Sequence, residues 1–241
     1  MLSGCVFGIK KQLTAEDIPL NKGSYFESYV NYSGEPVKVN FSLKGPWDLT
    51  KGPTDGLVRS RLVGKDSVVD HEKYPHAQIV EEVLPTDFTL GFTAFNYNAK
   101  TDKALLSYGQ NWDPKEKFGD PLVYKEPEHL LRFPVTVGAS WTDELTVEGE
   151  KKVRQIVKRE VVSRGQVKVP AGTFYNCFLI RITRTVKTDY GDDSRTILYM
   201  WWAQDIGPVA VMASQVDETS LVFKQADYVS RLRRYRIVSS E

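Results

Sequence analysis

From Phe174 to Val186 apolar side chains recur at alternate positions, with Phe178, Ile180 and Ile182 on one face. Successive side chains of a strand point to opposite faces, so this period demands a sheet with one face buried. The same alternation runs through Val37, Val39, Phe41 and Leu43, set against Lys38, Asn40 and Ser42. Tyr25–Tyr32 precedes it across the turn-forming cluster SGEP, which predicts a hairpin of the two segments. Further strands are expected over Gln78–Leu84, Phe88–Tyr97, Leu105–Gln110, Thr196–Trp202, Val209–Gln215, Leu221–Phe223 and Tyr228–Val238. One more, Val153–Val162, is expected to cross SRG into Gln166–Val169. No segment has the pattern of a helix of about ten residues or more. Pro127 in PEHLLRF suits the first position of a short one, where its missing N–H costs nothing. Strands in succession joined by short turns make antiparallel meanders. The expected fold class is therefore mainly β: curved antiparallel sheets, as a β-sandwich or half-barrel, with few short helices.

A chain of 241 residues can withdraw roughly 70% of its unfolded surface from water, so it needs no covalent staple. Residues 1–17, through KKQLTAED, show no period and read as a tether, while 18–241 read as one β-rich domain. Within it IPLNKGSYF echoes FPVTVGASW: Pro19, Gly23 and Phe26 have the spacing of Pro134, Gly138 and Trp141. The echo suggests two sheet-forming halves, 18–126 and 127–241. Gly and Pro crowd residues 44–56, a loop that Trp47 is expected to pin to the body.

The charges nearly cancel, 32 basic against 31 acidic, which argues against a nucleic-acid binder. Cys5 and Cys177 are the two cysteines, so a disulfide framework and a thiolate-rich zinc site are both excluded. Cys177 reads as a small buried hydrophobe. No run of about 18 apolar residues occurs. There is neither a G-x-S-x-G nor a Gly-rich phosphate cradle. The sequence DHEKYPH gathers Asp70, His71, Glu72 and His76, yet the spacing is not H-E-x-x-H and Pro75 opposes one helix carrying both histidines. A polar loop is the plainer reading, His71 and His76 remain the weak metal candidates, and no metal or other cofactor is expected.

Lys168-Val169-Pro170-Ala171-Gly172-Thr173-Phe174 has the chemistry of a turn, with Pro170 fixing φ and Gly172 accepting positive φ between flanking strand residues. It resembles the V-P-A-G-T-F hairpin of a broad group of bacterial secreted proteins and lipoproteins of unassigned activity. Two further signatures of that group flank it in order. Phe133-Pro134-Val135-Thr136-Val137-Gly138-Ala139-Ser140-Trp141 is similar to F-P-L-x-V-G-x-S-W. Trp201-Trp202-Ala203-Gln204-Asp205-Ile206-Gly207-Pro208-Val209 is similar to W-Y-A-P-G-V-G-L-V, with Gln204-Asp205 in place of Pro-Gly and Pro208 in place of an apolar residue. The likeness covers about residues 133–215 and is loose elsewhere. It implies curved antiparallel sheets or half-barrels, in some members similar to periplasmic lipoprotein carriers, an exported location, and no known catalytic residues. In that setting Leu2-Ser3-Gly4-Cys5 reads as a lipobox remnant that implies lipid on Cys5. Val6 is not the aspartate of inner-membrane retention, so the outer membrane is the expected side of the cell envelope.

Two sets of residues are candidates for binding. Trp141, Phe174, Tyr199, Trp201 and Trp202 would line an apolar groove if the sheet curls without a full second layer. Adjacent Trp201 and Trp202 must however face opposite ways. Arg231, Arg233, Arg234 and Arg236 could face anionic headgroups, or guard an edge strand. The function expected is a non-enzymatic envelope lipoprotein, a binding or structural component whose partner is the membrane through its anchor and another envelope protein, a glycan or a lipid. The alternative is a carrier with a lipid or other apolar ligand in an aromatic-lined cavity. A hydrolase whose site forms only in three dimensions ranks third.

Overall fold

The computed structural model describes residues 11–31, 35–65, 71–85, 93–112, 121–147, 154–187 and 193–239, with His71, Leu84, Pro85 and Trp112 described by their backbone alone. The first half of the chain supplies β1 (Tyr25–Val30), β2 (Val37–Lys38), β3 (Trp47–Asp48), β4 (Gly56–Gly64), β5 (Ile79–Pro85), β6 (Ala94–Lys100) and β7 (Ala104–Trp112). The second supplies β8 (Leu122–Arg132), β9 (Ser140–Thr146), β10 (Arg154–Val169), β11 (Gly172–Lys187), β12 (Ser194–Ala203), β13 (Gly207–Ser214) and β14 (Gln225–Arg236). The helical pieces include two short 3₁₀ turns, Ala15–Asp17 and His71–Lys73.

All fourteen strands belong to one sheet. Two antiparallel meanders, β10 to β14 and β4 to β8, are joined through β1, which pairs with β14 on one edge and β4 on the other. β9 lies along the first half of β10, and β3 runs parallel to Val167 and Lys168 further along it, so the sheet is mixed. The sheet curls until β8 and β9 lie side by side, but it stays unclosed. One isolated bridge, Tyr124 to Val147, spans that seam. Side chains do the rest: Asp143 Oδ2 accepts from His129 N at 3.0 Å, and Trp141 Nε1 donates to His129 O at 2.8 Å.

The alternation in β11 is realised, with Phe178, Ile180 and Ile182 on the inner face and Cys177 and Leu179 on the outer. The V-P-A-G-T-F turn joins β10 to β11, and Gly172 sits at φ +137°. In the next turn Asp205 takes a left-handed φ of 59°, at the place where the related pattern has glycine. The echoing segments share their geometry: Gly23 (φ +90°) and Gly138 (φ +91°) each stand two residues before a strand, β1 and β9.

Several expectations are corrected. Tyr25–Val30 does not form a hairpin with 37–43, because both edges of β1 are taken by distant strands. Val37, Val39, Phe41 and Leu43 do face one core, but the backbone pairing stops at Val39, whose N donates to Lys224 O at 3.0 Å, and only Val37–Lys38 is strand. The strand expected to cross SRG does so: β10 runs through it with its register shifted on either side, and Gly165 leaves room for the Trp47 ring, which a Cβ would meet at 2.9 Å. PEHLLRF is strand, not helix, and Pro127 falls where the β7–β8 register is interrupted, so its missing N–H costs no ladder bond. Leu221–Phe223 is not a strand, and Phe223 plugs the outer core instead. Residues 11–17 are docked, with Leu13 buried and paired to Val135.

Two cores result. On the outer face of β10–β14, Phe41, Trp47 and Leu49 cross over Leu179, Tyr199, Trp201 and Phe223. Inside the curl, Leu13 and Ile18 pack with Trp141, Leu145, Val157, Phe178, Ile180 and Trp202. A smaller outer cluster covers β5–β7, where Tyr74 stacks on Tyr97 at 3.6 Å.

Candidate functional site

The curl encloses a cavity of about 350 Å³ whose wall draws on every strand except β2, β3 and β9. It exists because alternation on each strand sends one set of side chains inward and the circumference is too large for them to meet. Most of the wall is apolar: Leu62, Ile180, Ile182, Met200 and Trp202, with Ile18 and Leu20 of the N-terminal segment over one side. Tyr228 lines the cavity with 38% of its surface accessible, and burial pushes its phenol up. The charged side chains in the wall are Glu81, which accepts from Asn96 Nδ2 at 3.1 Å, and Arg159.

Arg159 belongs to a buried charge network at the β8–β9 seam. Its Nη2 donates to Glu128 Oε1, which also accepts from Arg184 Nη2 at 3.1 Å. Asp143 pairs with His129 Nδ1 at 2.9 Å and with Arg132 Nη2 at 3.4 Å. Arg159 and Glu128 are 2% and 3% exposed, so each carries a desolvation cost that only its partner offsets. Burial raises the Glu128 carboxyl, but Arg159 and Arg184 more than offset that and hold it below the usual carboxylate range. Burial, then the negative charge of Glu128, pushes the Tyr124 phenol up, which keeps it protonated. His129 and Asp143 resemble two members of a hydrolase triad. However, His129 makes no hydrogen bond to a hydroxyl or thiol among the described residues, and Asp143 is committed to the seam.

The structure divides the aromatic set. Trp202 lines the cavity, whereas Tyr199 and Trp201 are sealed in the outer core. Trp141 packs inside at the seam, and Phe174 leans on Tyr235 at the rim of the outer core. The arginine run divides as well. Arg231 is 1% exposed and donates to the carbonyls of Thr50 (2.9 Å) and Pro53, fastening the 44–56 loop. Arg233 and Arg234 turn to Glu27, which Arg59 also meets at 2.8 Å, and Arg236 is exposed. His76 lies 5.8 Å from the Tyr108 ring, and no group of three His, Cys, Asp or Glu able to hold a metal occurs among the described residues. Asp70 and Cys5 lie outside the described residues. Cys177 is fully buried, and burial pushes its thiol up to about 12.

Arg159 and Glu128 were not singled out by motif. The signal for Arg159 is its phase: Gln155, Val157, Arg159 and Val161 share one face of β10, a charge where the period calls for an apolar residue.

No protein-family profile matches the chain, and no curated protein does. Among solved structures it is similar to a candidate lipoprotein from Parabacteroides distasonis ATCC 8503, at 10% identity and a TM-score of 0.45 over 91% of this chain and 97% of that one. It is also similar to a candidate exported protein with a YmcC-like fold from Bacteroides fragilis NCTC 9343, at 16% identity and a TM-score of 0.43 over 91% of this chain and 98% of that one.

Proposed function

We propose that this chain is a bacterial envelope lipoprotein, held in the outer membrane through Cys5, that binds a small apolar ligand inside its curled sheet and acts by binding rather than by catalysis. The cavity carries the ligand reading. Its 350 Å³ falls within the range of about 300–1,000 Å³ typical of ligand sites, and a mainly apolar wall with a few polar groups is what such sites use. Leu2-Ser3-Gly4-Cys5 and the secreted-type signatures support the location.

The ligand reading is tested with N-phenyl-1-naphthylamine, which fluoresces when it leaves water for an apolar site. Wild-type protein is expected to bind it saturably. Ser60→Phe, which places a ring into the cavity from β4, is expected to abolish the signal while the unfolding midpoint stays near wild type. A wild-type protein that gives no signal, or an undiminished signal in S60F, rules the cavity out as the site. Mass spectrometry of protein from membranes is expected to find acyl chains on Cys5, and an unmodified Cys5 would overturn the anchor.

A further inference from the structure

Residues directly opposite each other in an antiparallel pair point to the same face of the sheet. β1 lies between β4 and β14, and its register sets two rows across them: Arg61, Tyr25 and Arg236 in one, Arg59, Glu27 and Arg234 in the next. Arg233, at the register shift of β14, joins the second row by donating to Glu27 Oε1 at 2.8 Å. Lys22, just before β1, lines an open hollow with Tyr25, Arg59, Arg61 and Arg234. Two carboxylates answer these groups: Glu27, shared by Arg59, Arg233 and Arg234, and Glu82, which holds Arg61. Lys22 and Arg236 are exposed and make no ion pair with any described residue. Six cations thus stand against two carboxylates on a chain whose net charge is +1.

The needs of the fold do not account for this excess. A single bidentate guanidinium can pair a carboxylate, yet three converge on Glu27. Their side chains keep 42%, 40% and 55% of their surface open to water, for Arg59, Arg233 and Arg234 in turn, and Arg61 keeps 54%. Guarding an edge does not account for it either, because β4 is paired over Arg59 and Arg61 with β1 on one side and β5 on the other. The guanidiniums are also held in place. Arg59 and Arg234 flank the Tyr25 ring, with Cζ 6.0 Å and 5.9 Å from its centre. Fixed guanidinium forks that face water are donors suited to phosphate oxygens.

We infer that this face docks on a lipid bilayer through the phosphates of anionic headgroups. The inference rests on the envelope reading above, which supplies the bilayer, and is independent of the cavity. Neighbouring strands lie about 4.8 Å apart, so cations spread over three of them reach across about 10 Å. That is wider than one phosphate and suits a plane of them. Tyr25, set among the arginines, has the amphipathic ring that gathers at headgroup level. Each Lys or Arg brought to an anionic surface strengthens binding by about fivefold. The face would therefore add a second attachment to that of a lipid on Cys5, and would fix which side of the molecule lies against the membrane.

The test uses the full chain expressed without acylation, so that no anchor contributes, and measures co-sedimentation with vesicles. Vesicles of phosphatidylcholine with phosphatidylglycerol are expected to bring the protein down, and pure phosphatidylcholine to leave it in solution. Salt at about 1 M, where the screening length is about 3 Å, is expected to release it. Lys22→Gln/Arg236→Gln removes the two unpaired charges without touching Glu27, and is expected to weaken binding about 25-fold, fivefold for each. Lys103→Gln/Lys125→Gln makes the same change in net charge at the β6–β7 turn and on β8, and is expected to bind as wild type does. Equal losses in the two variants would assign the binding to overall charge and overturn the face. No preference for the anionic vesicles, or binding that survives the salt, would overturn it as well. Calorimetric binding of inorganic phosphate without vesicle binding would give the hollow to a small soluble anion and overturn the bilayer. None of these results touches the anchor, which the mass of Cys5 decides.

Discussion

Trp201 and Trp202 are neighbours in sequence and opposites in structure. Trp201 points outward into a close-packed aromatic core, 6.0 Å from Phe41 and 6.2 Å from Trp47, both edge-on. Trp202 points inward, where its ring forms part of a wall around open space. Both indole N–H groups lack a hydrogen-bond partner among the described residues. Their surroundings differ all the same: rings enclose the Trp201 indole, while the Trp202 residue lines the cavity. The outer face is thus spent on stability, and the inner face is left partly unspent. That difference, more than the number of aromatics, separates a core from a site.

Replacing each tryptophan breaks or sharpens this contrast, and the effect should be the largest of any made here. Trp201→Ala is expected to cost about 3–5 kcal/mol, since it opens a void among side chains that cannot close over it. Trp202→Ala should cost about 2 kcal/mol less, because it enlarges a space that is already there. Urea unfolding measures both. Cys177 tells the faces apart independently. It lies in the outer core with its thiol pushed up to about 12, so labelling by a thiol-reactive disulfide must wait for that core to open. Trp201→Ala should speed labelling of Cys177 more than Trp202→Ala does. Equal costs and equal labelling would mean that the two faces are packed alike.

Much of this layout is legible from residues alone, and the limits have a physical cause. Alternation is a local property, so the inward set Phe178, Ile180 and Ile182 and the opposed tryptophans can be read directly. Gly172 is legible for the same reason, since a turn needs its φ. Pairing is not local. Nothing near Tyr25–Val30 says that its edges will be taken by β4 and by β14, two hundred residues on. The run through SRG is legible, but the need for a glycine at 165 is not, since it comes from the Trp47 ring of a distant segment. The cavity was expected to be aromatic, but a curl this wide is walled mainly by Ile, Leu, Val and Met, with Trp202 and Phe26 beside them. Arg159 shows in the sequence only as a charge in phase with Val157 and Val161, on the face where the period calls for an apolar residue.

The same inside–outside contrast holds for charge. Glu128 is buried at the seam, and its carboxyl is held low by Arg159 and Arg184 against the effect of burial. A lowered folded value means that Glu128 stabilises the fold above the unfolded carboxyl value of about 4.3. That stabilisation is lost as pH falls through the lower folded value. Glu128→Gln should cost about 2–3 kcal/mol at neutral pH, because it strands a buried guanidinium. It should also flatten the acid-side fall of the urea midpoint below about pH 5. An acid limb as steep as that of wild type would place the titrating group elsewhere.

Glu27 is the outer counterpart, and its effect should be the smallest. Burial raises its carboxyl, but Arg59 and Arg234 offset this and bring it below the usual range, the same direction as Glu128. The difference lies in the partners. Arg59, Arg233 and Arg234 are 42%, 40% and 55% exposed, so water and salt share the charge they bring. Glu27→Gln should therefore cost no more than about 1 kcal/mol, the upper range for solvent-facing pairs. The loss should shrink further in about 1 M salt, where the screening length falls to about 3 Å. Glu128→Gln should keep most of its cost in the same buffer, since both Glu128 and its partner Arg159 are buried. If the two variants respond to salt alike, the seam is wetter than its burial implies. The guanidinium of Arg159 would then be served by solvent as well as by Glu128 and Asp143.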